Sequence, residues 1–240
     1  MTNYIKMSLF GLMVLFVGCK NEADKPKVTY NTKEKAINVK NDTAQIKVAD
    51  LPIHFEGTSV LLFPVGDINV YGRTSGMTYD SSSSETQQSF TISNNTENEI
   101  TGFLQNVGFQ EIGNDSICKL TEKPILIETI TFLKTIADKT KKQFLIYTLT
   151  DSDTNTDGKI DSNDVKSLYL SNVKGEGFVK LSPDIQELID WNVVENLNRI
   201  YFRTIEDINK NGAFDKEDKV RYYYLDLLAK ESKVMEYTPI

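Results

Sequence analysis

The chain carries one histidine, two cysteines and one tryptophan among its 240 residues. With a single imidazole, His54, no Cys/His zinc pattern can be assembled. Any Ser–His or Cys–His catalytic arrangement would have to be built on that same residue. Its setting, "LPIHFEG", reads as a strand holding an ordinary structural histidine. Phosphate cradles are missing as well, since neither a Walker loop nor a G-x-G-x-x-G stretch occurs. Positive charge is scarce: 27 Lys and Arg stand against 34 Asp and Glu, a net charge of −7. That balance excludes nucleic acid as a partner, because phosphate contacts need clustered Lys and Arg. Near the N-terminus, "MSLFGLMVLFVG" is twelve residues long. At about 1.5 Å per residue it falls short of a bilayer core of roughly 30 Å.

What is present is an ordinary globular composition, 40% apolar and 25% charged, long enough for one or two domains with a sizeable core. Beta-branched and aromatic residues are frequent and Ala-rich periodic runs are absent, which favours strands. Lys6, the short apolar run and the small Gly18 before Cys19 describe a secretory signal peptide over residues 1–18. Its ending, "FVGC", resembles the lipobox of bacterial lipoproteins, with Phe16 where Leu is usual. The resemblance implies that Cys19 is lipidated and becomes the first mature residue. Lys20, Glu22 and Asp24 then resemble the acidic surface-export tags of Bacteroidetes lipoproteins. The implied location is the outer membrane or cell surface of a Gram-negative bacterium, held through the lipid on Cys19. If Cys19 carries lipid, no intrachain disulfide is possible. Cys118, in "NDSICKLTE", reads as a buried inert thiol.

Residues 19–42 are polar and Lys-rich and read as a tether. An N-terminal β region (43–120) follows, with strand-sized pieces "AQIKVADLPIHF", "TSVLLFPVGDINVYG" and "SFTIS" broken by Gly, Pro or Asn. Residues 78–88, "TYDSSSSETQQ", have the composition of a mobile loop. In "ENEITGFLQNVGFQEI", Ile100, Phe103, Leu104 and Val107 share one helical face, so a short helix is expected there. "ILIETITFL" (125–133) favours a strand, and "KTIADKTKK" a helical turn or loop. "DTA" (42–44) and "DSI" (115–117) resemble the Asp-Ser/Thr-apolar sites that are O-glycosylated in Bacteroidetes.

The last part, 121–240, contains an internal repeat. Ile146, Tyr147 and Thr150 match Ile200, Tyr201 and Thr204; "LYLSNV" (168–173) matches "YYYLDL" (222–227); "KLSP" (180–183) echoes "EYTP" (236–239). Each unit reads strand, acidic loop, strand, turn, strand. This rhythm resembles single blades of TolB-like propellers. With two clear units, the expected fold is mainly β: short antiparallel strands in repeated blade-like units, an open or sandwiched sheet, and little helix. Alternation sends Tyr222 and Tyr224 to one face and Tyr223 to the other; these rings suit cross-strand packing or a stacking platform for sugars or peptides. Trp191 reads as core.

The acidic loops are "DTNTDGKIDSND" (153–164) and "DINKNGAFDKED" (207–218). A calcium ion takes six to eight oxygens, and a twelve-residue loop supplies them from alternate positions, with Gly at the sixth for the sharp turn. The first loop offers Asp153, Asn155, Asp157, Lys159 through its carbonyl, Asp161 and Asp164. The second offers Asp207, Asn209, Asn211, Ala213 through its carbonyl, Asp215 and Asp218. Ile160 and Phe214 stand at the apolar eighth position and are expected to anchor the loops to the core. The pattern resembles the calcium loop of EF-hands, and more closely the dockerin variant with Asp at the twelfth position. The flanks "FLIYTLT", "SLYLS", "RIYFRTI" and "VRYYYLDL" are strand patterns, so the ligand roles carry over and the helices do not. Four carboxylates serve the first loop and three the second, which predicts tighter binding at the first.

Two calcium sites, a lipid anchor and few catalytic residues point to a non-catalytic binding or structural module with an envelope protein or glycan as partner. The alternatives are a calcium-stabilised surface hydrolase working through carboxylates and an accessory subunit of an envelope complex using strand edges or aromatics.

Overall fold

The computed structural model describes residues 26–30, 45–69, 91–230 and 233–240. The signal peptide, Cys19, most of the tether, the 78–88 loop and the 42–44 motif lie outside the described residues. The fold is mainly β, with antiparallel sheets and little helix. The first sheet holds β1 (Gln45–Ala49), β2 (Ile53–His54), β3 (Val60–Asn69), β6 (Asn106–Glu111) and β7 (Ile117–Lys119). The second runs in the order β11-β10-β9-β8-β5-β4. Its strands are β4 (Ser93–Asn95), β5 (Glu99–Leu104), β8 (Leu126–Phe132), β9 (Phe144–Thr150), β10 (Lys166–Asn172) and β11 (Val179–Lys180). The third is a four-stranded meander of β12 (Gln186–Val194), β13 (Arg199–Glu206), β14 (Lys219–Asp226) and β15 (Val234–Tyr237). A seven-residue helix, α1 (Lys134–Thr140), links β8 to β9.

The second sheet is the middle layer. Phe55, Leu62 and Phe109 from the side of the first sheet meet Ile127, Leu145, Tyr147 and Leu149 in one core cluster. Ile146, Leu168 and Leu170 leave the opposite face and meet Leu188, Ile200, Phe202, Tyr223 and Leu225 of the third sheet in another. A strand covered on both faces reads as a continuous apolar run, as "FLIYTLT" of β9 does. Strands of the outer sheet alternate: Ile200, Phe202 and Thr204 of β13 are buried, while Tyr201 and Arg203 turn outward. Register shifts at Ile127/Thr129 in β8 and Leu188/Asp190 in β12 break the two-residue period. They place Ile127 with Ile130 on one core, and Leu188 with Trp191 on the other.

Four expectations are corrected here. The segment holding Ile100, Phe103, Leu104 and Val107 forms β5 and β6 rather than a helix. Ile100, Leu104 and Val107 are buried in the first core, whereas Phe103 is 66% exposed at an irregularity in the β5–β8 pairing. The division at residue 120 runs through a sheet, because β5 pairs with β8. Cys118 is exposed, since β7 is a short edge strand that pairs on one side only. Within the stretch read as a tether, residues 26–30 dock on the acidic loops, and Val28 is 5% exposed. The apolar and β-branched pair of "KVTY" gives that stretch something to bury. His54 sits exposed in β2 with its Nε2 2.9 Å from the Thr58 carbonyl.

Candidate metal centre

Both acidic loops close β-hairpins. Thr150 pairs with Lys166 beneath the first, and Glu206 with Lys219 beneath the second. The sequence folds locally this way because Asp and Asn side chains bond backbone amides a few residues on and so stabilise tight turns. In the first loop Asp153 accepts from the Asp157 amide (3.1 Å) and, through its other oxygen, from the Gly158 amide (2.8 Å). In the second, Asp207 accepts from Asn211 (3.2 Å) and Gly212 (2.7 Å). Asn155 and Asn209 each accept at 2.9 Å from the residue two further on. Asp157 accepts from Lys159 at 2.9 Å and Asn211 from Ala213 at 2.8 Å. Asp161 and Asp215 accept from Asn163 and Glu217, both at 2.8 Å.

The closing residues match too. Asp164 Oδ2 accepts from the Asp161 amide at 3.0 Å, and Asp218 Oδ2 from the Asp215 amide at 2.9 Å. The remaining oxygens reach back to the second loop position, Thr154 (2.8 Å) and Ile208 (3.2 Å). Backbone conformation repeats along with the bonds. Thr156 and Gly158 have φ of 63° and 90°; Lys210 and Gly212 have 57° and 84°. Gly at the sixth position thus meets a left-handed requirement in both loops.

These bonds fix the carboxylate and amide side chains of each loop against its own backbone amides. The donor set is all oxygen, from carboxylates, Asn amides and the Lys159 and Ala213 carbonyls, which fits a hard cation of the calcium type. Among the described residues no three His, Cys, Asp or Glu groups by themselves form a metal-holding group. Asp164 is 1% exposed. Burial lifts its carboxyl above the ordinary value, against the lowering effect of the Asp161, Asn155 and Thr154 amides, and Asp153 nearby adds to the rise. A cation would relieve that penalty. Ile160 and Phe214 are half-buried and belong to neither core cluster. The buried residues are instead Asp164 in the first loop, with Val165 just after it, and Asp207 in the second.

Residues 26–30 supply contacts that the loop pattern does not contain. The Gly212 carbonyl accepts from the Lys27 and Val28 amides, and the Thr154 carbonyl from the Thr29 amide. Tyr30 donates its hydroxyl to Asp207 Oδ2 at 2.9 Å. Burial, then this bond to Asp207, push the Tyr30 hydroxyl up to about 12. No periodicity could have found these residues, because they meet the loops across more than a hundred positions of chain.

Beside the first loop lies a cavity of about 350 Å³ lined in part by Asp151, Ser152, Lys180 and Asp184. Lys180 bonds Asp151 and Asp184, each at 2.8 Å, and Tyr169 donates to Asp151 at 2.7 Å. On the outer face of the third sheet, Tyr201, Tyr222, Tyr224 and Tyr237 pack edge-on or tilted at 5.6–6.1 Å. Arg199 lies 4.7 Å over Tyr224. Tyr223 faces the core, as alternation requires, and Trp191 packs partly buried against it. Among the described residues no helix is long and apolar enough to cross a membrane. Compared with protein-family models, curated proteins and solved structures, the chain finds no match.

Proposed function

We propose that the protein is a calcium-binding, lipid-anchored envelope protein that acts as a non-catalytic binding or structural module. The observation that carries this reading is the repetition between the two loops. Donor by donor, the same carboxylate-to-amide bonds and the same left-handed positions recur fifty-four residues apart. A turn stabilised by Asx bonds alone has no reason to repeat all six oxygen positions together with Gly158 and Gly212.

In the first loop Asp153, Asn155, Asp157, Asp161 and Asp164 would hold the ion with the Lys159 carbonyl. In the second the set is Asp207, Asn209, Asn211, Asp215 and Asp218 with the Ala213 carbonyl. The bound ion neutralises crowded carboxylates at the end of each hairpin. In the cavity beside the first loop, Lys180 pairs with Asp151 and with the exposed Asp184. Anchoring through Cys19 rests on the "FVGC" ending. The test is calorimetric titration of metal-free full chain in detergent. Two calcium events are expected, the tighter one removed by Asp153→Ala; a flat titration of the metal-free protein overturns the reading.

A further inference from the structure

We infer that residues 26–30 are a strap that couples the two loops, so that a calcium ion at either loop strengthens the hold of the other and fixes the segment seven residues beyond Cys19. This rests on the calcium reading above. Within three consecutive residues the backbone of the strap bonds both loops. Lys27 and Val28 donate to the Gly212 carbonyl at 2.7 and 3.1 Å, and Thr29 donates to the Thr154 carbonyl at 2.9 Å. Side chains double the connection. Thr29 Oγ1 donates to the Asn155 carbonyl at 2.9 Å, and Thr154 Oγ1 to the Lys27 carbonyl at 2.6 Å. Lys27 reaches Glu187 of β12 at 2.8 Å.

The peptide units the strap grips are those that set the metal donors. Thr154 donates its amide to Asp164, which closes the first loop, while its hydroxyl holds the strap. Gly212 donates its amide to Asp207, which opens the second loop, while its carbonyl receives the strap. Tyr30 touches the same Asp207 oxygen. Close approach is built in, since a Cβ at Gly212 would collide with the Val28 carbonyl oxygen. An ion that stiffens one loop stiffens the peptide units bonded to the strap. The strap then docks at lower entropic cost, and part of the ordering at the other loop is already done. By linkage the docked strap must in turn favour calcium at both loops, by a coupling factor on the order of tenfold.

The strap lies outside both core clusters, so it can be altered with the core intact. Val28→Asp, which puts a charge into a buried place, should weaken calcium binding at both loops by roughly tenfold. In wild type, calcium should slow amide exchange at Lys27, Val28 and Thr29 by a comparable factor. Asp153→Ala, in the first loop, should restore part of that exchange at Lys27 and Val28, whose partner is in the second loop. Calcium uptake with unchanged strap exchange in wild type, or equal affinities in Val28→Asp, overturns the coupling and leaves the loop assignment standing. Absence of calcium uptake by wild type overturns both.

Discussion

Lys180 Nζ stands 2.8 Å from Asp151 Oδ2, two residues before the first acidic loop, with side chains 20% and 16% exposed. The pair ties β11 to the root of the loop, and Tyr169 adds a hydroxyl to the same carboxylate oxygen. Burial alone would raise the Asp151 carboxyl. The bonds from Lys180 and Tyr169 outweigh it and leave the group below its ordinary value. Lys180 moves up, because burial, which lowers it, loses to Asp151 and Asp184.

The signs give a pH window. A depressed Asp151 contributes stability that is present above its unfolded value and lost as pH falls through the folded one. A raised Lys180 contributes stability that is present below its unfolded value and lost as pH rises through the folded one. Wild type should therefore exceed Asp151→Asn across the neutral range by about 2 kcal/mol, between exposed and buried pairs. Urea unfolding at several pH values should show the gap closing in acid. A gap that stays constant down to about pH 2 would contradict the assignment.

Calcium should raise the melting temperature by several degrees at millimolar concentration if both sites bind with sub-millimolar affinity, typical of extracellular modules. Chelator should reverse the rise, and removal of Asp207 and Asp215 together should reproduce part of the drop. Magnesium should substitute poorly, since it demands a small octahedral shell and dehydrates reluctantly. Melting that ignores calcium, combined with an activity that requires it, would turn the ion into a cofactor and favour the hydrolase reading.

The sixth-position glycines should differ in cost. Gly158 has φ of 90° with nothing near its absent Cβ, so Gly158→Ala should cost about 1–2 kcal/mol of left-handed strain. Gly212 has φ of 84° and meets the Val28 carbonyl and Pro26. Gly212→Ala should cost more, with the strap displaced as well. Chemical denaturation of both variants gives the comparison; equal losses would mean that the strap contributes nothing there.

Labelled fatty acid should enter wild type and not Cys19→Ser, and the variant should appear in the soluble fraction if cleavage continues. Equal labelling of the two would remove the lipid anchor from the account.

The loops were legible because the bonds made within each of them span at most ten or eleven residues. A carboxylate at the first position and amides at the fifth and sixth are fixed by local chain geometry, so spacing alone reveals them. Flanking strands were legible for a similar reason, since β13 and β14 cover the third sheet's core on one side and alternate. Misreading of β5 and β6 as a helix came from the same logic. Ile100, Leu104 and Val107 have helical spacing, but the chain breaks at Gln105, whose amide bonds the Val65 carbonyl, and continues into a different sheet.

Tyr147 and Tyr201 show where the sequence stops deciding. They hold equivalent places in the two repeats, and the repeat, the hairpins and the turn bonds of each loop all follow from local pattern. Yet Tyr147 is wholly buried with its hydroxyl 2.7 Å from Ser171, whereas Tyr201 stands half-buried on an outer face among other tyrosines. The difference lies in the neighbours: the second sheet is covered on both sides, the third on one. The same holds for residues 26–30. Their polar, Lys-rich surroundings look like free tether, and only tertiary packing brings them between loops whose carbonyls are more than a hundred residues away. Side-chain period records which residues a strand points to each face. It carries no record of what will cover that face, because the covering layer is chosen by contacts distant along the chain.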